Sequence, residues 1–266
     1  MQYTFSDHTF AVCAYKESAF LEDCILSLLS QTVKSNIIIA TSTPNEHING
    51  IAAKFDLPVF INTGEKGIGG DWNFAYSCCK TPLITIAHQD DIYEPDYTEQ
   101  MLKSINSSDN PILYFCSYGE LRNGQKVYKN KLLNAKALML SPLKFRFAQK
   151  SRFIRRRILS LGNPICCPAV TYVRPNVGEN PFSNNYLSNI DWEQWEIQSR
   201  KKGSFVYEPK PLMCHRIHSE STTSEIIGES NGRTSEDYDM FARFWPKPIA
   251  RLITKYYSKS QKSNSL

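Results

Sequence analysis

Leu83-Ile84-Thr85-Ile86-Ala87-His88-Gln89-Asp90-Asp91-Ile92-Tyr93-Glu94-Pro95 is the stretch on which the reading of the fold turns. Leu83–Ala87 is a short apolar run of the kind buried inside a parallel sheet. It stops at four polar residues, two of them adjacent carboxylates. Pro95 then suits the first turn of a helix carrying Tyr97, Met101, Leu102 and Ile105 along one side. The strand delivers Asp90 and Asp91 to its carboxyl end, where open α/β sheets bind ligands. Carboxylates placed there suit a hard divalent cation, since Mg2+ is commonly held by one or two of them together with substrate phosphates. Read alone, the dipeptide serves equally well to cap the following helix.

The same alternation extends outward. Thr9–Ala14 is an apolar run ending at Lys16-Glu17, and Ser18 is placed to cap a helix with Phe20, Leu21, Cys24, Ile25, Leu28 and Leu29 at helical spacing. Ile37–Ala40, Pro58–Ile61 and Ile112–Cys116 read as further strands. Strands alternating with helices predict an α/β fold with a mostly parallel sheet flanked by helices. Beyond residue 118 the pattern changes. Asn123-Gly124 signals a hairpin within Glu120–Tyr128. Residues 131–160 read as helical and basic, Asp191–Lys202 as an amphipathic helix and Phe205–Tyr207 as a strand. One last helix is expected over about 235–257, followed by a polar, frayed end at Ser258–Leu266.

With 266 residues and 41% hydrophobic content, the chain can bury a core of ordinary size. No run approaches the roughly 18–20 apolar residues of a membrane span, and the N-terminus lacks a secretory pattern. The reading therefore expects a cytoplasmic protein. The eight cysteines include the adjacent pairs Cys78-Cys79 and Cys166-Cys167 but no CxxC, so they read as reduced thiols rather than a zinc or redox motif. The net charge of +5 is unevenly spread. Thirteen Lys/Arg and no acid lie between Glu120 and Glu179, and six more follow Asp239. Such basic segments on an acidic body point to a phosphate-rich partner.

Taken in order, the segments resemble the inverting family 2 glycosyltransferases, whose catalytic domain has the GT-A (Rossmann-like) fold. Leu83–Asp91 looks like the strand that ends in the family's acidic motif. Ala14-Tyr15-Lys16-Glu17 with Ser30-Gln31-Thr32 resembles its opening strand, loop and helix, and Gly67–Asn73 resembles the entry to the helix before the metal strand. Asn189-Ile190-Asp191-Trp192-Glu193 resembles the place of the catalytic base, and His215-Arg216-Ile217-His218-Ser219 the closing Arg-x-His segment. The resemblance implies a nucleoside-diphosphate sugar as donor and Mg2+ or Mn2+ as cofactor. It places Ala14, Tyr15, Glu17, Asp71, Asn73, Asp90 and Arg216 around the donor. Asp90, His88 and His218 would hold the metal, and Asp191 would be the general base, with Glu193 in reserve. The residues by themselves leave Asp191 equally readable as a helix cap. The chain departs from the family pattern at Thr41-Ser42-Thr43-Pro44, where paired aspartates are usual, at His88 and at Trp72.

This reading assigns residues 1–223 to a GT-A domain that includes the basic helical insertion at about 131–160, and 224–266 to a helical, basic tail. Lys144–Arg157 interleaves Phe145, Phe147, Phe153, Ile154, Ile158 and Leu159 with charge, and the tail adds Phe241, Phe244, Trp245, Tyr256 and Tyr257. That mixture suits an anionic membrane surface or a lipid-linked glycan acceptor, and equally a solvated face with ordinary aromatic packing. The expected partners are the sugar donor, a glycan acceptor and such a surface. No nucleic-acid partner is expected, because it would leave the acidic strand end unexplained. A nucleotidyltransferase would share the metal carboxylate but open with a Gly-rich loop, and Ala14–Ser18 contains no Gly. A catalytically degenerate GT-A protein is the remaining alternative.

Overall fold

The structure, a computed structural model, describes residues 2–218 and 230–262; Met1, residues 219–229 (Ser219 of the closing segment among them) and residues 263–266 lie outside the described residues. Among the described residues nine strands form one sheet: β1 His8–Ala14, β2 Asn36–Thr41, β3 Val59–Ile61, β4 Leu83–His88, β5 Ile92–Tyr93, β6 Pro111–Arg122, β7 Gln125–Val127, β8 Val170–Val173 and β9 Ser204–Ile217. The order is β3-β2-β1-β4-β8-β6-β9-β5, with β7 paired to β6. The first four strands are parallel, as the alternation predicts. The whole sheet is mixed, because β8 runs antiparallel to both β4 and β6. The sequence reading had no strand at 170–173, where four residues with little flanking periodicity gave no signal.

Helices α1 Leu21–Leu29, α2 Glu46–Lys54 and α4 Tyr97–Asn106 cover one face. There Phe10, Val12 and Ala14 meet Leu21, Cys24, Ile48, Tyr97 and Met101 in one buried cluster. On the other face Ala11, Ile84 and Ile86 join Ala75 and Tyr76 of α3 Ile68–Cys78 and Trp192 and Trp195 of α9 Ile190–Ser199. The alternation of side chains along a strand thus feeds two cores from one sheet. Helix α1 opens at Leu21 rather than after Ser18, whose carbonyl receives the Leu21 N–H. Pro95 likewise lies just outside α4, and its carbonyl accepts the Thr32 N–H at 2.8 Å.

Asn123 and Gly124, both at positive φ, make the two-residue turn between β6 and β7 that the sequence signals. The basic region 131–160 breaks into α5 Lys131–Leu140, a 3-10 turn at Ser141–Lys144, α6 Arg146–Lys150 and α7 Arg152–Leu159. After a short α8, Arg174–Val177, and α9, the C-terminal helix expected as one element is two. These are α10 Ser230–Ala242 and α11 Lys247–Lys262, parted at Pro246, which has no N–H to continue a helix. Met240, Phe241 and Ala250 of this pair are fully buried in the core beneath α9. Among the described residues no helix is long and apolar enough to cross a membrane.

Candidate active site

Parallel pairing sets the carboxyl ends of β1, β2 and β4 side by side, with Cys13 opposite His88 and Ala14 opposite Thr41. The turn after β4 then passes directly into β5, and β5 pairs with the end of β9, Ile92 against Cys214. That register brings His215 and Arg216 back onto the acidic turn. Asp91, fully buried, accepts His215 Nδ1 and the Arg216 backbone N–H on Oδ1, both at 2.9 Å. Asp90 Oδ2 is bonded to His218 Nε2 at 2.9 Å. The Arg216 guanidinium donates to the Asp90 carbonyl at 2.8 Å and to Asp23 at 3.3 Å, while stacking on Phe20 at 4.2 Å. Arg216 thus braces the turn from behind.

His88, Asp90 and Asp91 each offer a ligand atom, all within 4.8 Å of one another. Among the described residues, His88 Nε2 and Asp91 Oδ2 are buried with no protein hydrogen-bond partner. Buried polar atoms are rarely left so, and His88, whose Nδ1 lies 3.9 Å from Asp91 Oδ2, forms with the two carboxylates a donor set that fits a divalent cation. Trp72 stacks on His88 at 5.2 Å and fixes the ring plane. Burial pushes Asp90 up, but the charges of His215 and His88 and the His218 bond outweigh it and hold its carboxyl below the ordinary range. Burial also lowers His215, yet the Asp91 charge and bond raise it to about 9. The first shift keeps Asp90 ionised at neutral pH, and the second keeps His215 protonated beside Asp91.

Of the residues expected around the donor, Tyr15 is held beside this turn. Tyr15 is half exposed, and Gln89 clamps its backbone from both sides, accepting its N–H and donating to its carbonyl at 3.0 Å. Ala14 is buried at the end of β1, and Glu17 is exposed beyond it. Asp71 accepts Ser42 Oγ at 2.9 Å and Asn62 Nδ2 at 2.8 Å, which ties the segments after β2 and β3 to α3. Asn73 is used otherwise: its amide exchanges two hydrogen bonds with the Phe182 backbone and pins that segment to α3.

Asp191 is the second residue of α9; the cap position belongs to Asn189. Its carboxylate accepts Asn163 Nδ2 at 2.8 Å and the Trp192 N–H at 2.7 Å. Burial holds it above the ordinary aspartate value, against the Asn163 and Trp192 bonds and the charges of Lys136 and Arg233. The half-buried Cys166 thiol is pushed up first by burial and then by the charge of Asp91, with Asp191 a smaller cause. Lys136 acts on His215 and Asp191 alike. The carboxylate of Glu193, by contrast, is taken up by Ser183 and Arg243.

Sequence reasoning missed the clamp at the start of α9. Glu236 of α10 accepts the backbone N–H groups of Leu187, Ser188 and Asn189 at 2.7, 2.9 and 3.1 Å, and the Ser188 hydroxyl at 2.6 Å. Asp237 beside it accepts Asn189 Nδ2 at 2.9 Å. A carboxylate there also meets the positive end of the α9 dipole. No local pattern marks Glu236, because its partners lie 47 to 49 residues away.

No curated protein matches the chain. Among solved structures, residues 1–349 of S. aureus TarS in complex with UDP-GlcNAc align with a TM-score of 0.63 and 13% identity, over 97% of this chain and 73% of that one. The mannosyltransferase PcManGT from Pyrobaculum calidifontis, in complex with GDP-Man and Mn2+, aligns with a TM-score of 0.61 and 11% identity, over 96% and 70%. At such identities the likeness is one of fold, and it is the GT-A fold. The model of glycosyl transferase family 2 matches residues 9–182, from the first strand through the acidic turn to the segment that Asn73 pins, and the chain belongs to that family.

Proposed function

We propose that the protein transfers a sugar, with inversion, from a nucleoside diphosphate to a hydroxyl of a glycan acceptor. The acceptor in this reading is lipid-linked, and the setting is polysaccharide or cell-envelope glycan assembly at the cytoplasmic face of a membrane. The observation that carries the reading is the acidic turn, where His88, Asp90 and Asp91 converge and the buried atoms His88 Nε2 and Asp91 Oδ2 have no hydrogen bond among the described residues. Two proteins of similar fold hold nucleotide sugars, one of them with Mn2+. His88, Asp90 and Asp91 would hold Mg2+ or Mn2+, with His218 orienting Asp90. Bound there, the cation neutralises the charge that grows on the departing diphosphate.

The remaining work falls to the chain's own groups. The acceptor hydroxyl attacks the anomeric carbon, the bond from that carbon to the diphosphate oxygen breaks, and Asp191 takes the hydroxyl proton on the opposite face. Arg216 keeps the acidic turn in place during the transfer. Tyr15 offers an exposed ring to the nucleoside, and Ser42 and Asp71 offer it hydrogen-bonding groups.

The test is a thermal-shift screen with UDP, GDP, dTDP and CMP, each with and without Mn2+. One nucleotide is expected to raise Tm in a metal-dependent way, because a ligand bound only by the folded state stabilises it. Silence with every nucleotide would leave the degenerate alternative. A second expectation concerns the clamp. Glu236→Gln sets an amide N–H against backbone donors at the start of α9, so kcat should fall by about tenfold with donor KM unchanged. A change confined to Tm would reduce Glu236 to a stability role.

A further inference from the structure

The two aromatic, basic segments form one surface, and we infer that this surface docks on an anionic lipid bilayer. Three phenylalanines of the insertion stand in water: Phe145, Phe147 and Phe153 are 61, 71 and 72% exposed. Leu138 on α5 and Leu161 after α7 add to them, as do Leu252 and Tyr256 on α11. Isolated apolar side chains are common on surfaces, but this many on neighbouring helices mark an interaction face.

The fold joins the segments. Trp245 donates to the Ser160 carbonyl at 2.8 Å, and Arg157 lies against both Trp245 and Phe153. Arg156 stacks on Phe244 at 5.1 Å and donates to the Arg243 carbonyl. A Cβ at Gly162 would meet the Tyr257 ring at 2.9 Å, so the end of α7 and the middle of α11 lie in direct contact. The end of the insertion and the C-terminal helices therefore pack against each other.

Charge selects the occupant. Lys144, Arg146 and Arg152 are exposed between the phenylalanines, and Lys247, Arg251 and Lys255 are exposed on α11. No acidic residue lies in sequence between Glu120 and Glu179 or after Asp239. Not every base of the cluster belongs to this face. Arg155 is buried, donates to the carbonyls of Lys201 and Gly203 and stacks on Phe205. Arg156 pairs with buried Glu196. What remains outside is aromatic and cationic together, the composition that seats a helix at the level of anionic headgroups.

The placement deepens the lipid-linked reading of the acceptor and rests on that reading only for its purpose.

Co-sedimentation of the full chain with vesicles tests this without any sugar transfer. Binding is expected to vesicles of equal parts phosphatidylcholine and phosphatidylglycerol, to weaken with salt and to be absent from phosphatidylcholine alone. Phe147→Ser and Phe153→Ser should each weaken it about tenfold, as loss of one inserted aromatic implies. Arg146→Glu with Arg152→Glu should abolish it. These residues are exposed, so the nucleotide thermal shift should be unchanged in every variant. No binding to the anionic vesicles would overturn the inference, as would binding indifferent to the phenylalanines. Self-association that the phenylalanine variants dissolve, without vesicle binding, would overturn it in favour of a second copy of the chain. Vesicle binding with no nucleotide shift would leave the docking surface standing and sink the transferase reading alone.

Discussion

Asp191→Asn is expected to lower kcat by roughly 10²–10⁴-fold, the usual contribution of a positioned general base. The substitution is nearly isosteric, and the site can absorb it. The amide oxygen of the variant side chain can still accept the Trp192 N–H, and Asn163 can turn its own amide to receive the new N–H. Asn163 Oδ1 is buried without a partner among the described residues, so the flip satisfies that atom and sets Nδ2 in its former place, leaving the number of unpaired groups unchanged. Stability should change little. The Asp191 pKa is raised in the folded state, chiefly by burial, so the folded protein binds this proton more tightly than the unfolded chain does. Its contribution to folding is therefore favourable at acid pH and is lost as pH rises through the folded pKa. At neutral pH the ionised carboxylate works against folding, and the neutral amide removes that cost.

The same shift sets a pH signature. A base must be ionised to act, so kcat/KM should fall on the acid side at a pH above the ordinary aspartate value of about 4. The residual activity of Asp191→Asn should lack that acid limb. A variant with wild-type kcat, or one that keeps the limb, would move the base elsewhere. Glu193 is a poor substitute, since Arg243 and Ser183 already hold its carboxylate.

What could be read from sequence followed from local periodicity. The runs at Thr9–Ala14 and Leu83–Ala87 became β1 and β4, because a continuous apolar stretch between polar ends has few fates other than a buried strand. The Asn-Gly turn was legible for the same reason. The acidic turn was legible as a place but not as a circuit. His215 and Arg216 meet Asp91 only through the pairing of two-residue β5 with the far end of β9, a register that no local pattern encodes. The basic cluster shows the opposite limit. Arg155, Arg156 and Arg157 look alike in sequence, yet packing buries the first, pairs the second with Glu196 and lays the third against Trp245. Asn73 looks like a ligand-binding amide at a helix start, and the chain uses it to hold Phe182.

Asp90 and Asp91 are adjacent and chemically identical, yet their variants are expected to fail in different ways. Asp90 is partly exposed, and among the described residues the side chain hydrogen-bonded to its carboxylate is His218. Asp90→Asn should therefore fold and melt like the parent without nucleotide. It should lose the metal-dependent nucleotide shift, and activity should drop on the order of 10²–10³-fold, as for loss of one preorganised charge-stabilising group. Asp91 has a second task. Its buried Oδ1 holds His215 and the Arg216 N–H, and so ties β9 to the acidic turn. Asp91→Ala leaves the His215 ring and a backbone donor without their acceptor and removes the charge that keeps His215 protonated, at a cost of about 2–3 kcal/mol. For a chain of this size that lowers Tm by several degrees, roughly 5–10 °C, before any ligand is added. Asp91→Asn keeps Oδ1 and removes only the charge and the second oxygen, so it should regain much of the lost Tm while remaining inactive. Equal melting of the Asp91→Ala and Asp90→Asn variants would show that β9 is held by its other contacts. Retention of the metal-dependent shift in Asp90→Asn would move the cation to Asp91 and His88 alone.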